Sequence, residues 1–154
     1  MVERAKAQDL EQTYAAVPDS VGAARRALIH FAAQAGASGE QVEAVRLAAS
    51  EALTNVVKHA YPDRPGSIHI TAAVACGELC VEIADDGCGL RPHSRRGGLG
   101  LGLTLIASLC DELQVVKRPS GGTQLWLWLR LRTTAPAGDG QLRGSVSCAT
   151  SPAR

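Results

Sequence analysis

Aromatic side chains are scarce in this chain of 154 residues: two Trp, two Tyr and one Phe, or 3% of the total. A core with so few rings has to be built from Leu, Val, Ile and Ala, on elements that approach one another closely. Net charge is scarce too. Sixteen Lys and Arg against fifteen Asp and Glu leave +1 at pH 7, without the basic excess of a nucleic-acid binder, so direct nucleic-acid contact is not expected. No apolar run reaches the ~18–20 residues that cross a bilayer. The charged start, Met1-Val2-Glu3-Arg4-Ala5-Lys6, leads into no signal-peptide hydrophobic stretch. A cytoplasmic protein without membrane attachment is expected. The five cysteines (Cys76, Cys80, Cys88, Cys110, Cys148) include no Cys-x-x-Cys pair, which argues against zinc. A reducing compartment argues against a disulfide framework.

What is present suffices for one domain. Hydrophobic residues make up 45% and charged residues 20%, which excludes wholesale disorder. Pro18 closes a short β-like piece, Thr13 to Val17. Asp19-Ser20 offers an N-cap for a helix from Val21 to Gln34, whose Ala24, Leu28, Phe31 and Ala32 fall at helical spacing. Ser38 caps a longer helix, about Glu40 to Ala60, with Val42, Val45, Ala49, Ala52, Leu53, Val56 and Ala60 on one arc. The period then changes from 3.6 to 2. Ile68, Ile70, Ala72 and Val74, then Leu79, Val81 and Ile83, alternate around a turn at Gly77-Glu78 and predict an antiparallel hairpin. A glycine-rich stretch, Asp85 to Gly102, precedes a short helix from about Leu103 to Asp111. Strands at Leu113 to Lys117 and Thr123 to Leu131 close the domain. Residues 1–132 are thus expected to form one domain, and 133–154 a disordered tail. Helices first, then a mostly antiparallel sheet with one helix inserted, predict an α+β two-layer sandwich rather than alternating βαβ units.

Three clusters carry chemistry. On the long helix, Glu51 and Asn55 are i,i+4 neighbours and share a face, and Lys58 lies about 20° from Glu51 at the helical angle per residue. A carboxylate can serve there as base and an amide oxygen as a hard-metal ligand. In Asp85-Asp86-Gly87-Cys88-Gly89, strand parity puts Asp85 on the buried face of Leu79, Val81 and Ile83. A carboxylate there needs a partner, and an exocyclic amine would serve. The glycines beside it let backbone come close to a flat ligand. Gly97-Gly98-Leu99-Gly100-Leu101-Gly102 leads into a helix, where free N–H groups suit phosphate oxygens; Arg95 and Arg96 add charge just before it. Singly, each has a plain structural reading: a solvated stripe, an Asp-Gly turn, a basic loop.

In this order and spacing the clusters resemble the N, G1 and G2 boxes of the GHKL, or Bergerat-fold, ATP-binding domains, and most of all the anti-sigma-factor serine kinases of bacteria. Leu47-Ala48-Ala49-Ser50-Glu51-Ala52-Leu53-Thr54-Asn55 with Lys58-His59-Ala60-Tyr61 is close to that subfamily's N box. Gly100-Leu101-Gly102-Leu103-Thr104-Leu105-Ile106 resembles its G2 box, and Gly121-Gly122-Thr123 its late Gly-Thr element. The resemblance covers about residues 10–132. It implies a Bergerat fold, with helices on one face of a mostly antiparallel sheet. It implies ATP and Mg²⁺ as ligands, with Glu51 as general base and Asn55 as the metal ligand. Asp85 would accept from the adenine amine, while Gly87 and Gly89 shape the adenine pocket. Gly98, Gly100 and Gly102 would form the phosphate-facing lid, and Thr123 would sit near Asp85. Lys58 and Arg96 are further candidates for contact with the nucleotide. Only residues 90–97 separate the G1 and G2 boxes, so the lid is short.

The function so implied is a protein serine kinase that phosphorylates an anti-sigma-factor antagonist and otherwise holds a sigma factor inactive. An ATP-binding module that sequesters a partner without phosphoryl transfer is the alternative. A detached histidine-kinase domain would need a dimerising hairpin with a phospho-accepting His, and His30 is followed by Phe31, not by an acidic residue. Trp126 and Trp128 alternate with Leu125, Leu127 and Leu129 and would lie on the sheet face away from the helices, which suggests a homodimer or partner surface.

Overall fold

Two strands joined by a two-residue turn form the centre of the sheet in the computed structural model, which describes residues 9–89 and 99–132. They are β2 (Ser67–Ala75) and β3 (Glu78–Asp85), paired antiparallel. Cys76 and Gly77 between them both have positive φ, 53° and 77°, the backbone that a tight hairpin turn requires. The turn thus falls one residue earlier than expected. β1 (Leu10–Ala15) adds to the outer edge of β2. β5 (Thr123–Arg130) pairs with β3, and β4 (Glu112–Lys117) with β5. The order is β1-β2-β3-β5-β4, and every pair is antiparallel.

Three helices cover one face: α1 (Pro18–Gln34), α2 (Gly39–Asn55) and α3 (Leu99–Leu109). Their apolar stripes and the sheet's inward residues form one core, in which Leu28, Val45, Leu53, Ile68, Ile70, Leu79, Val81, Ile106 and Leu127 are fully buried. This is the expected two-layer α+β sandwich. Ser38 caps α2 through a reciprocal box with Gln41, each backbone N–H donating to the other's side chain at 3.1 and 3.2 Å. At α1 the cap differs from expectation. Val17 is the N-cap with no side-chain bond and Pro18 takes the first helical position, where its missing N–H costs nothing. Asp19 and Ser20 therefore lie inside the first turn.

The long helix is not α-helical throughout. It passes after Asn55 into a π-helical turn, Val56–Ala60, a form concentrated at functional sites. Its last carbonyls are engaged elsewhere: Ala60 O accepts from Cys88 N at 2.8 Å, and His59 O from the Cys88 thiol at 3.2 Å. α3 starts at Leu99, so Gly100 and Gly102 lie within its first turn and not in a loop before it. Cys80, Cys88 and Cys110 are free thiols. Cys76 is disulfide-bonded, against the expectation, which rested on a reducing compartment and not on how close the folded chain brings its thiols. Among the described residues no helix is long and apolar enough to cross a membrane. The tail expected at 133–154 lies outside them.

Candidate functional site

The C-terminal half of the long helix, the end of β3 and the start of β5 enclose a cavity of about 250 Å³. Its apolar lining includes Ala52, Val56, Ile83, Leu103, Val115 and Leu125, and its polar lining includes Asn55, Lys58, His59, Asp85 and Thr123. Such a lining suits a flat, largely apolar ligand with a few oriented polar groups.

Asp85 ends β3 on the side facing the helices and is only 4% exposed. Its Oδ1 accepts from Gly87 N at 2.8 Å and from Thr123 N at 3.4 Å. Both donors reach the same oxygen, which leaves Oδ2 without a donor among the described residues. Burial, and then the Asp86 charge, push the Asp85 carboxyl above the usual carboxylate range, against the two amides and the Arg118 guanidinium. A buried carboxylate with an oxygen to spare in an apolar cavity fits a ligand N–H donor, such as the amine of a purine.

The backbone around Asp85 is packed too closely for side chains. A Cβ on Gly87 would stand 2.2 Å from Ala60 O, and one on Gly122 would stand 1.8 Å from Asp85 O. A Cβ on Gly89, which has φ +74°, would stand 2.8 Å from Gly121 O. Three segments, the helix end, the loop after β3 and the β4–β5 turn, thus meet backbone to backbone. The N box, the G1 box and the late Gly-Thr element come together here.

Glu51 lies one helical turn before Asn55, beside the cavity and not in its lining. Its carboxylate rests on α3: a Cβ on Gly102 would lie 2.1 Å from Glu51 Oε1. The side chains of Glu51, Asn55 and Lys58 make no hydrogen bond or ion pair with any described residue. No group of three or more His, Cys, Asp or Glu among the described residues could hold a metal ion. Asn55 offers one hard oxygen, which suits Mg²⁺ held mainly by phosphates and water. Arg96 and Gly98 lie outside the described residues, and Gly100 is placed only by its backbone in α3. Sequence reasoning missed His59 and Cys88 in the lining, and Tyr61, Asp86 and Arg118 behind it. Tyr61 stands in the N box and Asp86 beside Asp85, so position alone could have flagged them; nothing in the sequence marks Arg118.

Residues 14–129 match the family model of the histidine kinase-like ATPase domain. The chain belongs to that family. Its relatives include an anti-sigma F factor of Shouchella clausii, 29% identical over 142 residues, covering 83% of this chain and 96% of that protein. The serine-protein kinase RsbW of Bacillus licheniformis is 33% identical over 122 residues, covering 69% of this chain and 76% of that one. Among solved structures, that of the RsbU and RsbW domains of a Mycobacterium tuberculosis protein superposes with a TM-score of 0.64 at 26% identity. The match covers 80% of this chain and 32% of that one, so the chain spans about a third of that structure. The GHKL resemblance, the Bergerat-type sandwich and the likeness to anti-sigma kinases therefore hold for this histidine kinase-like ATPase domain.

Proposed function

We propose that this chain is an ATP-dependent protein serine kinase that also acts as an anti-sigma factor, with residues 1–132 as its working domain. The observation that carries this reading is the buried Asp85 at a cavity that also holds Asn55 and Lys58, with Glu51, whose side chain has no partner among the described residues, one turn before Asn55. The names of its relatives, anti-sigma F factor and serine-protein kinase, support the partner class. The protein works in the cytoplasm, touches neither nucleic acid nor membrane, and pairs as a homodimer through its open sheet face. It phosphorylates an anti-sigma-factor antagonist and otherwise holds a sigma factor.

The chain's own residues divide the work. Asp85 accepts from the base amine and fixes its orientation, while the apolar lining excludes water from the base. Lys58 and the amides at the start of α3 take the phosphates, together with Arg96 and Gly98, which belong there by sequence. Asn55 holds Mg²⁺, which when bound offsets phosphate charge. Glu51 takes the proton of the attacking serine hydroxyl, a role typically worth about 10²–10⁴-fold in rate. The few residues, 90–97, between the G1 and G2 boxes favour a second reading, in which nucleotide is bound but nothing is transferred.

Incubation with radiolabelled ATP and the antagonist proteins of the same genome, scored for label on serine, separates the two. The kinase labels one of them. Glu51→Ala abolishes the label while ATP affinity stays within a few-fold. Normal transfer by Glu51→Ala ends its role as base, and no transfer by the parent protein leaves the binding module.

A further inference from the structure

Asp86, next to the buried Asp85, has every polar group engaged by segments distant in sequence. Its amide N–H donates to the Tyr61 hydroxyl at 2.8 Å, and its carbonyl accepts from Arg64 Nη2 at 2.8 Å. On the side chain, Oδ1 accepts from Arg118 Nη1 at 2.7 Å and from Ser120 Oγ at 3.5 Å. Oδ2 lies 3.0 Å from His69 Nε2, and His69 in turn reaches Thr13 of β1 through Nδ1 at 3.1 Å. Arg118 makes a second bond, to the Asp85 carbonyl, at 3.2 Å. The stretch after the long helix, β2 and the β4–β5 turn all converge on this one residue.

Fold stability does not account for the convergence. The side chains of Arg118, His69 and Asp86 are 30%, 36% and 47% exposed, and ion pairs that open to water contribute little. What the contacts do fix is the pair of peptide units that follow Asp85. Arg118 holds the Asp85 carbonyl, Tyr61 the next N–H and Arg64 the next carbonyl. The direction of the Asp85 carboxylate depends on that backbone, and small misplacements of a binding group are costly.

We propose that Asp86 is a positioning residue. It does not line the cavity, but it sets the direction of the Asp85 carboxylate and hence the affinity for the base of the nucleotide. The proposal rests on the reading of the cavity as a nucleotide site. The test uses the full chain, titrated calorimetrically with ADP, adenosine and magnesium tripolyphosphate. Asp86→Ala should weaken ADP and adenosine alike by about tenfold, the scale of coupling between contacting residues, and leave tripolyphosphate unchanged. Arg118→Ala should show a similar loss, and the double variant little more than either alone. Glu43→Ala, which removes a comparably exposed pair with Arg46 on α2, should change nothing. A second readout needs no nucleotide: the Gly87 and Cys88 amides should exchange hydrogen faster in ligand-free Asp86→Ala, whose thermal midpoint stays within about 4 °C of the parent.

Equal ADP affinity in the parent and Asp86→Ala overturns the proposal. So does a loss shared by tripolyphosphate, which would mark a general structural role. Should Asp86→Ala fail to fold, the milder Asp86→Asn takes its place with the same criteria. If the parent binds neither ADP nor adenosine, it is the cavity reading that fails. Unchanged amide exchange at Gly87 and Cys88 then overturns the positioning role on its own.

Discussion

Burial raises the Asp85 carboxyl pKa, the Asp86 charge adds to the rise, and the amides of Gly87 and Thr123 with the Arg118 guanidinium oppose it. The native state therefore holds this proton more tightly than the unfolded chain. Its contribution to stability is present in full below the ordinary carboxylate value and is lost as pH rises through the raised one. Once ionised, the group is a cost to the ligand-free fold, and a donor amine in the cavity offsets it. Asp85→Asn keeps an oxygen for the two amides but drops the charge. Its ligand-free thermal midpoint at pH 7 should equal or exceed the parent's. ADP and ATP should bind ten- to a hundredfold more weakly, since a poorly satisfied polar contact costs about 1–3 kcal/mol. Acidification should weaken ADP binding to the parent as the carboxyl takes up its proton, and much less so in the variant. Parent-like ADP affinity in Asp85→Asn would remove Asp85 from the base contact. This residue was legible in the sequence because strand parity ties it to Leu79, Val81 and Ile83. Arg118 was not: its contacts run from a separate turn to backbone and carboxylate, and no periodicity encodes them.

Helices and strands meet at glycines here, and the neighbour that a side chain would strike decides the outcome. At Gly102 of α3 the obstacle is the end of the Glu51 side chain, 2.1 Å from the added Cβ, and that end can swing away. Alanine also favours a helix by about 1 kcal/mol over glycine. Gly102→Ala should therefore fold as well as the parent, yet lose most serine phosphorylation because Glu51 is displaced. At Gly122 the obstacle is the Asp85 carbonyl at 1.8 Å, fixed backbone that cannot give way. Gly122→Ala should lower the thermal midpoint and weaken ADP together. Melting curves and transfer assays on the two variants test the contrast, and equal effects on both would refute it. The elements themselves were largely legible, since the change of period from 3.6 to 2 marks where helices give way to strands. Three details were not. Pro18 starts α1 by its fixed φ, where the side-chain signal pointed to Asp19-Ser20. The π-turn after Asn55 accompanies carbonyls turned to Cys88. The early start of α3 runs through glycines that read as loop.

All three helices pack on one face of the sheet, and among the described residues the other face is left to its own side chains. There Trp126 and Trp128 stack with ring centroids 6.1 Å apart and planes 17° from parallel. Their neighbours on adjacent strands are Glu82 and Cys80 of β3 and Gln114 and Glu112 of β4. Thr71 donates to Glu82 Oε2 at 3.0 Å and Gln124 to its other oxygen, so both oxygens of the Glu82 carboxylate are already engaged within the sheet. The Cys80 thiol is pushed up to about 11 by burial and by Glu82 and Glu78, and stays a neutral part of the surface at physiological pH. Cover by the start of the chain is the competing account, but β1 extends the sheet edge from Leu10 to Ala15. Two indoles bury about 300–500 Å² together, a large part of the ~800 Å² per partner in a standard interface. A second copy, bringing the same pair about a two-fold axis, supplies a matching apolar centre with a polar rim. Sedimentation should therefore show a dimer at tens of micromolar, and Trp126→Ser with Trp128→Ser should return it to monomer without loss of ADP binding, because the cavity lies on the opposite side of the sheet. A parent protein that stays monomeric at high concentration, with both indoles already shielded from a soluble quencher, would show that this face is covered from within the chain.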